Sequence, residues 1–214
     1  MRDPHHNQQV MQRGHPLEGA IGAVVLLHGR GASASDILGL ADDLDLLGLA
    51  YLAPQAAGQS WYPNSFLAPR EQNEPWLSSA LELLGKIVER LNQAGIHKNR
   101  IALMGFSQGA CLATEFVARS PTRYGGLIAL TGGLIGPEGT VVNYSGDLAG
   151  TGCFLGSGDP DLHVPWSRVE DSASVLSSLG GSVTLKRYPQ MPHTINADEM
   201  AEARKILLRI ADSK

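Results

Sequence analysis

The sequence predicts an α/β protein, a mostly parallel sheet with helices packed on both of its faces. Six short β-rich runs lead to that reading: AVVLL (23–27), LAYLAP (49–54), RIALMGF (100–106), GLIALTG (126–132), GCFLGS (152–157) and VTLKRY (183–188). They are continuous apolar runs more than alternating ones, the pattern of strands buried on both faces. Between them, residues 37–47, 77–91, 108–119, 165–179 and 196–210 carry apolar side chains at helical spacing and can serve as crossovers between parallel strands. A further N-terminal strand around residues 9–12 brings the sheet to about seven strands.

The 214 residues are 43% hydrophobic and 18% charged, a composition that suits one globular domain spanning 1–214. A formal net charge of -4 and the lack of a Lys/Arg cluster leave no electrostatic footprint for nucleic acid. The start, MRDPHHNQQV, lacks the charged-then-apolar order of a signal peptide, and the run 23–27 is far too short for a bilayer, so no membrane insertion is expected and the cytoplasm is the default location. Cys111 and Cys153 fall inside a helical and a strand pattern, as buried reduced thiols would. No metal-spaced cluster of His, Asp or Glu accompanies the candidate site described next, and the expectation is no metal and no cofactor.

Ligands in such a sheet bind beyond the carboxyl ends of the strands, which directs attention to the loops there. Residues 105–109, Gly-Phe-Ser-Gln-Gly, fit the pattern Gly-x-Ser-x-Gly. The pattern is weak alone, but RIALMGF ends directly on Ser107 and a helical pattern begins directly after it. Strand, tight turn and helix form the nucleophile-elbow arrangement, in which the glycines relieve crowding and the helix N-terminus favours developing negative charge. A plain N-cap serine would show the same residues without the flanking order.

A serine needs a base to take its proton, and the base needs an orienting carboxylate. His5, His6 and His15 precede the first strong strand and read as a solvated tail. His97 is at the wrong end of the sheet, His28 leaves the chain order unfilled, and His163 shares a loop with the candidate aspartates. His193 remains, after the last strand and before the last helix, where the order Ser, Asp, His places the base. The carboxylate should follow GCFLGS, where Asp159 and Asp161 both qualify. For the oxyanion hole, the glycine-rich turn Leu27-His28-Gly29-Arg30-Gly31 can bring backbone close to substrate, with the N–H groups of Arg30 and Gln108 as donors.

The long connection between residues 54 and 77 holds Trp61, Tyr62, Phe66 and Trp76, and connections of that length are usually functional. It reads as a pocket wall, with Trp61, Tyr62, Phe66 and the carboxylate of Glu74 as candidate substrate contacts. The Gly-rich segment between GLIALTG and GCFLGS is too short for a separate helical cap domain.

With these pieces placed, the chain resembles the phospholipase/carboxylesterase family of α/β-hydrolases, through LLHGRGAS (26–33), GFSQGACLA (105–113), GDPDLHVP (158–165) and PHTI (192–195). The resemblance implies the α/β-hydrolase fold, Ser107 as nucleophile, Asp161 as the acid, His193 as the base, and the amides of Arg30 and Gln108 as the oxyanion hole. It implies a serine hydrolase acting on a small-molecule ester, and it leaves room for a homodimer. Arg30 stands where the thioesterase branch usually has an apolar residue, which points toward short acyl chains. Lysophospholipase or acyl-protein thioesterase activity, and a catalytically inactive binding module on the same fold, are the competing readings.

Overall fold

The computed structural model describes residues 3–44, 46–139 and 143–212. One seven-stranded sheet runs through it, from strands β1 (Val10–Gly14), β2 (Gly22–Leu27), β3 (Leu49–Pro54), β4 (Ile101–Phe106), β5 (Gly126–Leu130), β6 (Gly152–Asp159) and β7 (Ser182–Pro189). Their order across the sheet is β1-β3-β2-β4-β5-β6-β7, parallel throughout except for the antiparallel pairing of β1 with β3.

The helices are α1 (Ala34–Leu38), α2 (Leu40–Leu44), α3 (Trp76–Gln93), α4 (Gln108–Arg119), α5 (Trp166–Ser178) and α6 (Ala197–Asp212). Alternate residues of each strand feed opposite faces of the sheet. Ala23, Val25 and Leu27 of β2 pack with α3, α4 and α5, while Val24 and Leu26 pack with α1, α2 and α6. The four central strands β2, β3, β4 and β5 therefore have no polar face to show, which is why they read as unbroken apolar runs.

The expected helix over 37–47 is two short helices. Ser33 and Asp36 form a reciprocal capping box that starts α1 at Ala34, and the chain breaks at Gly39, a poor helix former. Leu47 lies beyond α2 and is exposed. The expected strand over 126–132 ends at Leu130, because Thr131 takes a φ of 55° that turns the chain out of the sheet. Among the described residues between β5 and β6 there is no helix. No helix among the described residues is long and apolar enough to cross a membrane.

His5 is not part of a solvated tail. It is buried, its N–H donates to Ser79 Oγ at 2.9 Å, and its Nε2 lies 3.0 Å from the Trp61 carbonyl oxygen. With Ala57 N–H donating to Nδ1 at 3.1 Å, Nε2 must carry the proton, so the ring is neutral. Its ring sits 5.6 Å from Trp61 and 5.5 Å from Trp76. The N-terminal segment thus folds back and pins the long connection between β3 and α3.

Candidate active site

β4 delivers Ser107 at the centre of the carboxyl edge of the sheet. Ser107 has φ 54° and ψ -120°, a conformation rare for a non-glycine residue, and α4 begins at the next position. The bend is held from both sides: Ser107 N–H donates to Leu130 O of the neighbouring strand at 3.0 Å, and Cys111 N–H returns to Ser107 O at 3.0 Å. The two glycines around it are steric necessities. A Cβ on Gly105 would stand 2.4 Å from the Gly109 carbonyl, and one on Gly109 would stand 2.1 Å from the Leu27 carbonyl oxygen.

His193 follows β7 and Asp161 follows β6, two strands that pair in parallel and so bring their following loops together. His193 Nε2 lies 2.8 Å from Ser107 Oγ, and its Nδ1 lies 2.8 Å from Asp161 Oδ2. The second Asp161 oxygen accepts the N–H groups of His163 at 2.8 Å and Val164 at 2.9 Å. Burial pushes the Asp161 carboxyl upward, but the N–H of His163, the His193 ring and the N–H of Val164 together outweigh it and hold the group below the usual carboxylate range. An ionised Asp161 fixes the proton of the neutral imidazole on Nδ1, which leaves Nε2 as an acceptor facing the serine hydroxyl. The imidazole is flanked by Phe106, ring centroid at 5.0 Å, and by His163 at 4.9 Å.

Asp159, the other candidate, is the last residue of β6 and pairs with Arg187 of β7. It serves the strand pair, and its carboxylate makes no hydrogen bond to His193.

The loop after β2 brings Arg30 beside the elbow. Among the described residues, neither the N–H of Arg30 nor that of Gln108 has a hydrogen-bond acceptor in the surrounding loops, and for Gln108, the first residue of α4, that is expected of the opening turn of a helix. His28 braces this loop from below. It is fully buried, with Nδ1 2.7 Å from Gly29 O and Nε2 accepting from Ala56 N–H at 3.1 Å, so it is neutral with its proton on Nδ1. Burial lowers its pKa, which keeps it so.

Gln108 also works through its side chain. Its Oε1 accepts the N–H of Trp61 at 2.9 Å and its Nε2 donates to Tyr62 O at 2.8 Å, so the residue beside the serine holds the long connection in place. Asn73, fully buried, accepts from Asn64 N–H at 2.8 Å and donates to Ser65 O at 3.1 Å.

The pocket in front of Ser107 has a volume of about 410 Å³. Tyr62 and Phe66 line it, together with Asn64, Ser65, Cys111 and His163. Two of the expected contacts are elsewhere. Trp61 is fully buried behind the site, its Nε1–H donating to His28 O at 2.9 Å and its ring 5.0 Å from that of His28. Tyr62 is buried in the same core cluster as Trp61, but at the bend over 61–64 it is Tyr62 that also forms part of the pocket lining. Glu74 caps the start of α3, accepting Ser78 N–H at 3.1 Å and Ser78 Oγ–H at 2.8 Å. An acid just ahead of a helical pattern is a legible signal for that role. The pocket-lining Asn64 and Ser65 and the bracing Asn73 carry no comparable signal, since polar loop residues are common. Among the described residues, no three His, Cys, Asp or Glu side chains converge as a metal site.

The arrangement is that of the α/β-hydrolase fold, and comparison with known proteins agrees. The crystal structure of a phospholipase/carboxylesterase from Dyadobacter fermentans DSM 18053 is 46% identical and superposes with a TM-score of 0.91, covering 95% of this chain and 97% of that one. Lysophospholipase-like protein 1 of Mus musculus is 30% identical over 139 residues, 62% of this chain and 56% of the relative. Acyl-protein thioesterase 1 of Gibberella zeae is 26% identical over 140 residues, 64% of this chain and 60% of the relative. The matched region thus spans less than two thirds of the length of these two curated relatives. The family described as Phospholipase/Carboxylesterase matches residues 8–210, nearly the whole chain. With its seven-stranded sheet, its serine elbow and that match, the chain belongs to the phospholipase/carboxylesterase family of α/β-hydrolases.

Proposed function

We propose that the protein is a serine carboxylesterase that cleaves short-chain carboxylic esters through an acyl-enzyme. The observation that carries this reading is the unbroken chain of contacts from Ser107 Oγ to His193 Nε2, and from His193 Nδ1 to Asp161 Oδ2, each 2.8 Å.

In this mechanism Ser107 Oγ attacks the ester carbonyl carbon as its proton passes to His193 Nε2. The carbonyl oxygen becomes an alkoxide, received by the N–H groups of Arg30 and Gln108. Asp161 steadies the imidazolium. The tetrahedral intermediate collapses, His193 returns the proton to the departing alcohol oxygen, and the acyl group stays on Ser107. Water then enters, gives its proton to His193 and attacks the acyl carbon; collapse releases the acid and restores the serine hydroxyl.

The names of the relatives fit lysophospholipase and thioesterase activity equally well. The short-chain reading is supported by the pocket, where Tyr62 and Phe66 form the wall and Arg30 ties down Pro63 and Asn64 at its rim. Two buried, unpaired cysteines suit the reducing cytoplasm as its setting.

A panel of p-nitrophenyl esters of rising chain length, run beside an acyl thioester and a lysophospholipid, tests the substrate class. Butyryl esters should outpace palmitoyl esters, and the reverse order would hand the assignment to the thioesterase or lysophospholipase reading. Ser107→Ala should abolish both hydrolysis and labelling by a fluorophosphonate probe in a folded protein. Turnover retained beyond a trace would remove Ser107 from the nucleophile's role.

A further inference from the structure

Two arginines serve the long connection between β3 and α3, and they differ in how their charge is met. Arg70 donates to Ile135 O at 2.9 Å and is ion-paired with the buried Glu115 at 2.9 Å. Arg30 has no such partner. Its Nη1 donates to Pro63 O at 2.7 Å and its Nη2 to Asn64 O at 2.5 Å, and among the described residues no carboxylate lies within ion-pair distance of it.

These two carbonyls orient the guanidinium without cancelling its charge. A guanidinium has five N–H donors, and two are used, so three remain for a ligand, on a group whose position is already fixed. That position is the pocket itself. Arg30 lines it beside Ser107, and among the described lining residues it is the only Lys, Arg, Asp or Glu. The rest of the polar lining, Asn64, Ser65, Gln108 and His163, contributes hydrogen-bonding groups without a fixed charge. In a chain whose formal net charge is -4, the pocket in front of the candidate nucleophile thus carries one fixed positive charge.

We infer that Arg30 is a specificity-determining residue that reads an anionic group, a carboxylate or a phosphate, on the ester. The inference deepens the esterase reading and rests on it. Charge-assisted bonds from a guanidinium to a carboxylate or phosphate are short, directional and about twice as strong as neutral ones, so a pre-oriented arginine selects for such a group. Cleaving the ester of an anionic substrate leaves Arg30 engaged with the fragment that bears the anion, either the acyl part held on Ser107 or the alcohol that departs first. Which of the two it is depends on which side of the scissile bond faces Arg30.

The test is a set of four alkyl esters in two matched pairs, followed by pH-stat titration at low ionic strength. On the acyl side, monomethyl glutarate is compared with methyl 4-carbamoylbutanoate, its uncharged isostere. On the alcohol side, butyryloxyacetate is compared with butyryloxyacetamide. The readout is the ratio of kcat/KM, anion over amide, within each protein, which cancels any general change in turnover. In the unmodified protein the ratio should be about 10 or more in at least one pair, and it should fall as salt is added. Arg30→Gln should bring that ratio to about 1 or below, and Arg30→Lys should retain part of it. A ratio near 1 or lower in both pairs, or a preference that survives in Arg30→Gln, would overturn the inference. In either case turnover of the amide esters, with fluorophosphonate labelling of Ser107, would leave the esterase reading standing. If neither the esters nor the probe reacts, the esterase reading falls and the inference falls with it.

Discussion

Gly109 and Leu27 meet with no room between them: a Cβ on the glycine would lie 2.1 Å from the Leu27 carbonyl oxygen. The first turn of α4 is pressed onto the end of β2, and this contact sets how close the elbow serine comes to the loop that carries Arg30. Gly109→Ala should therefore force the helix away from the strand, lowering stability by about 2 kcal/mol or more and depressing turnover disproportionately. Gly85, inside α3 with open space where its Cβ would be, is the control. Gly85→Ala should raise stability by about 0.5–1 kcal/mol with turnover unchanged. Thermal melts of both variants check this, and equal effects at the two positions would contradict it.

Asp159, the last residue of β6, and Asp161, in the loop that follows, have different partners. Asp161→Asn removes the carboxylate that orients the imidazole, and a loss of roughly 10⁴ in kcat is expected with the fold intact. Asp159→Asn weakens a half-exposed pairing with Arg187 between β6 and β7, and should cost under about 1 kcal/mol with turnover little changed. Steady-state kinetics and melting curves on the two variants decide it; the reverse ranking would give the acid's role to Asp159.

Two buried glutamates should respond oppositely to the same substitution. Glu115 on α4 is fully enclosed and satisfied, its Oε1 meeting Arg70 at 2.9 Å and Arg119 at 2.6 Å, its Oε2 accepting from Ile135 N–H at 3.0 Å and Tyr144 Oη–H at 2.9 Å. Glu115→Gln should destabilise by about 3 kcal/mol, since it leaves two arginines without their counter-charge. Glu199 on α6 accepts Asn196 N–H at 2.9 Å through Oε2, but its other oxygen is buried with no hydrogen-bond partner among the described residues. Burial raises its pKa to about 7. The folded state therefore holds a proton that the unfolded chain releases, and stability declines as pH climbs from 4.5 through about 7. Glu199→Gln should leave stability nearly unchanged at pH 4.5 and raise it by about 2–3 kcal/mol at pH 8. A variant that melts at the unmodified protein's temperature at pH 8 would refute this.

Two buried histidines act in the opposite direction to Glu199. Burial lowers the pKa of both His5 and His28 below 6.5. The unfolded chain binds protons that these folded rings refuse, so their contribution is complete above 6.5 and is lost as pH falls below it. In melts from pH 7.5 to 5, the stability of His5→Gln relative to the unmodified protein should rise as pH falls. An identical slope would mean that His5 does not titrate with unfolding.

The sheet was readable because strands buried on both faces leave an unbroken apolar signature, as in β2, β3, β4 and β5. The serine elbow was readable because Gly105 and Gly109 are demanded by backbone contacts, so the chemistry and the packing wrote the same letters. Where the reading missed, the deciding information was orientation or distant packing. Trp61 and Tyr62 are neighbours of similar character and both are buried, and only the local bend of the backbone decides that Tyr62 lines the pocket and Trp61 does not. His5 looked solvated because its partners Trp61, Ser79 and Ala57 are far along the chain. The break at Gly39 was missed because apolar spacing runs across it, although the Ser33–Asp36 capping box was there to be read.

The burial of His5 also bears on the order in which the molecule is put together. Synthesis is vectorial, and the segment carrying His5 leaves the ribosome before anything it binds exists. Its N–H must wait for Ser79, 74 residues later, before the wall behind the pocket can be latched. The segment carrying His5 can therefore dock only after Ser79 has been made, and until then Trp61 and Trp76 lack the ring that lies against both of them. A substitution that loosens this segment acts on the nascent chain at that latching step, so its cost shows in the yield of folded protein rather than in the chemistry of the finished one.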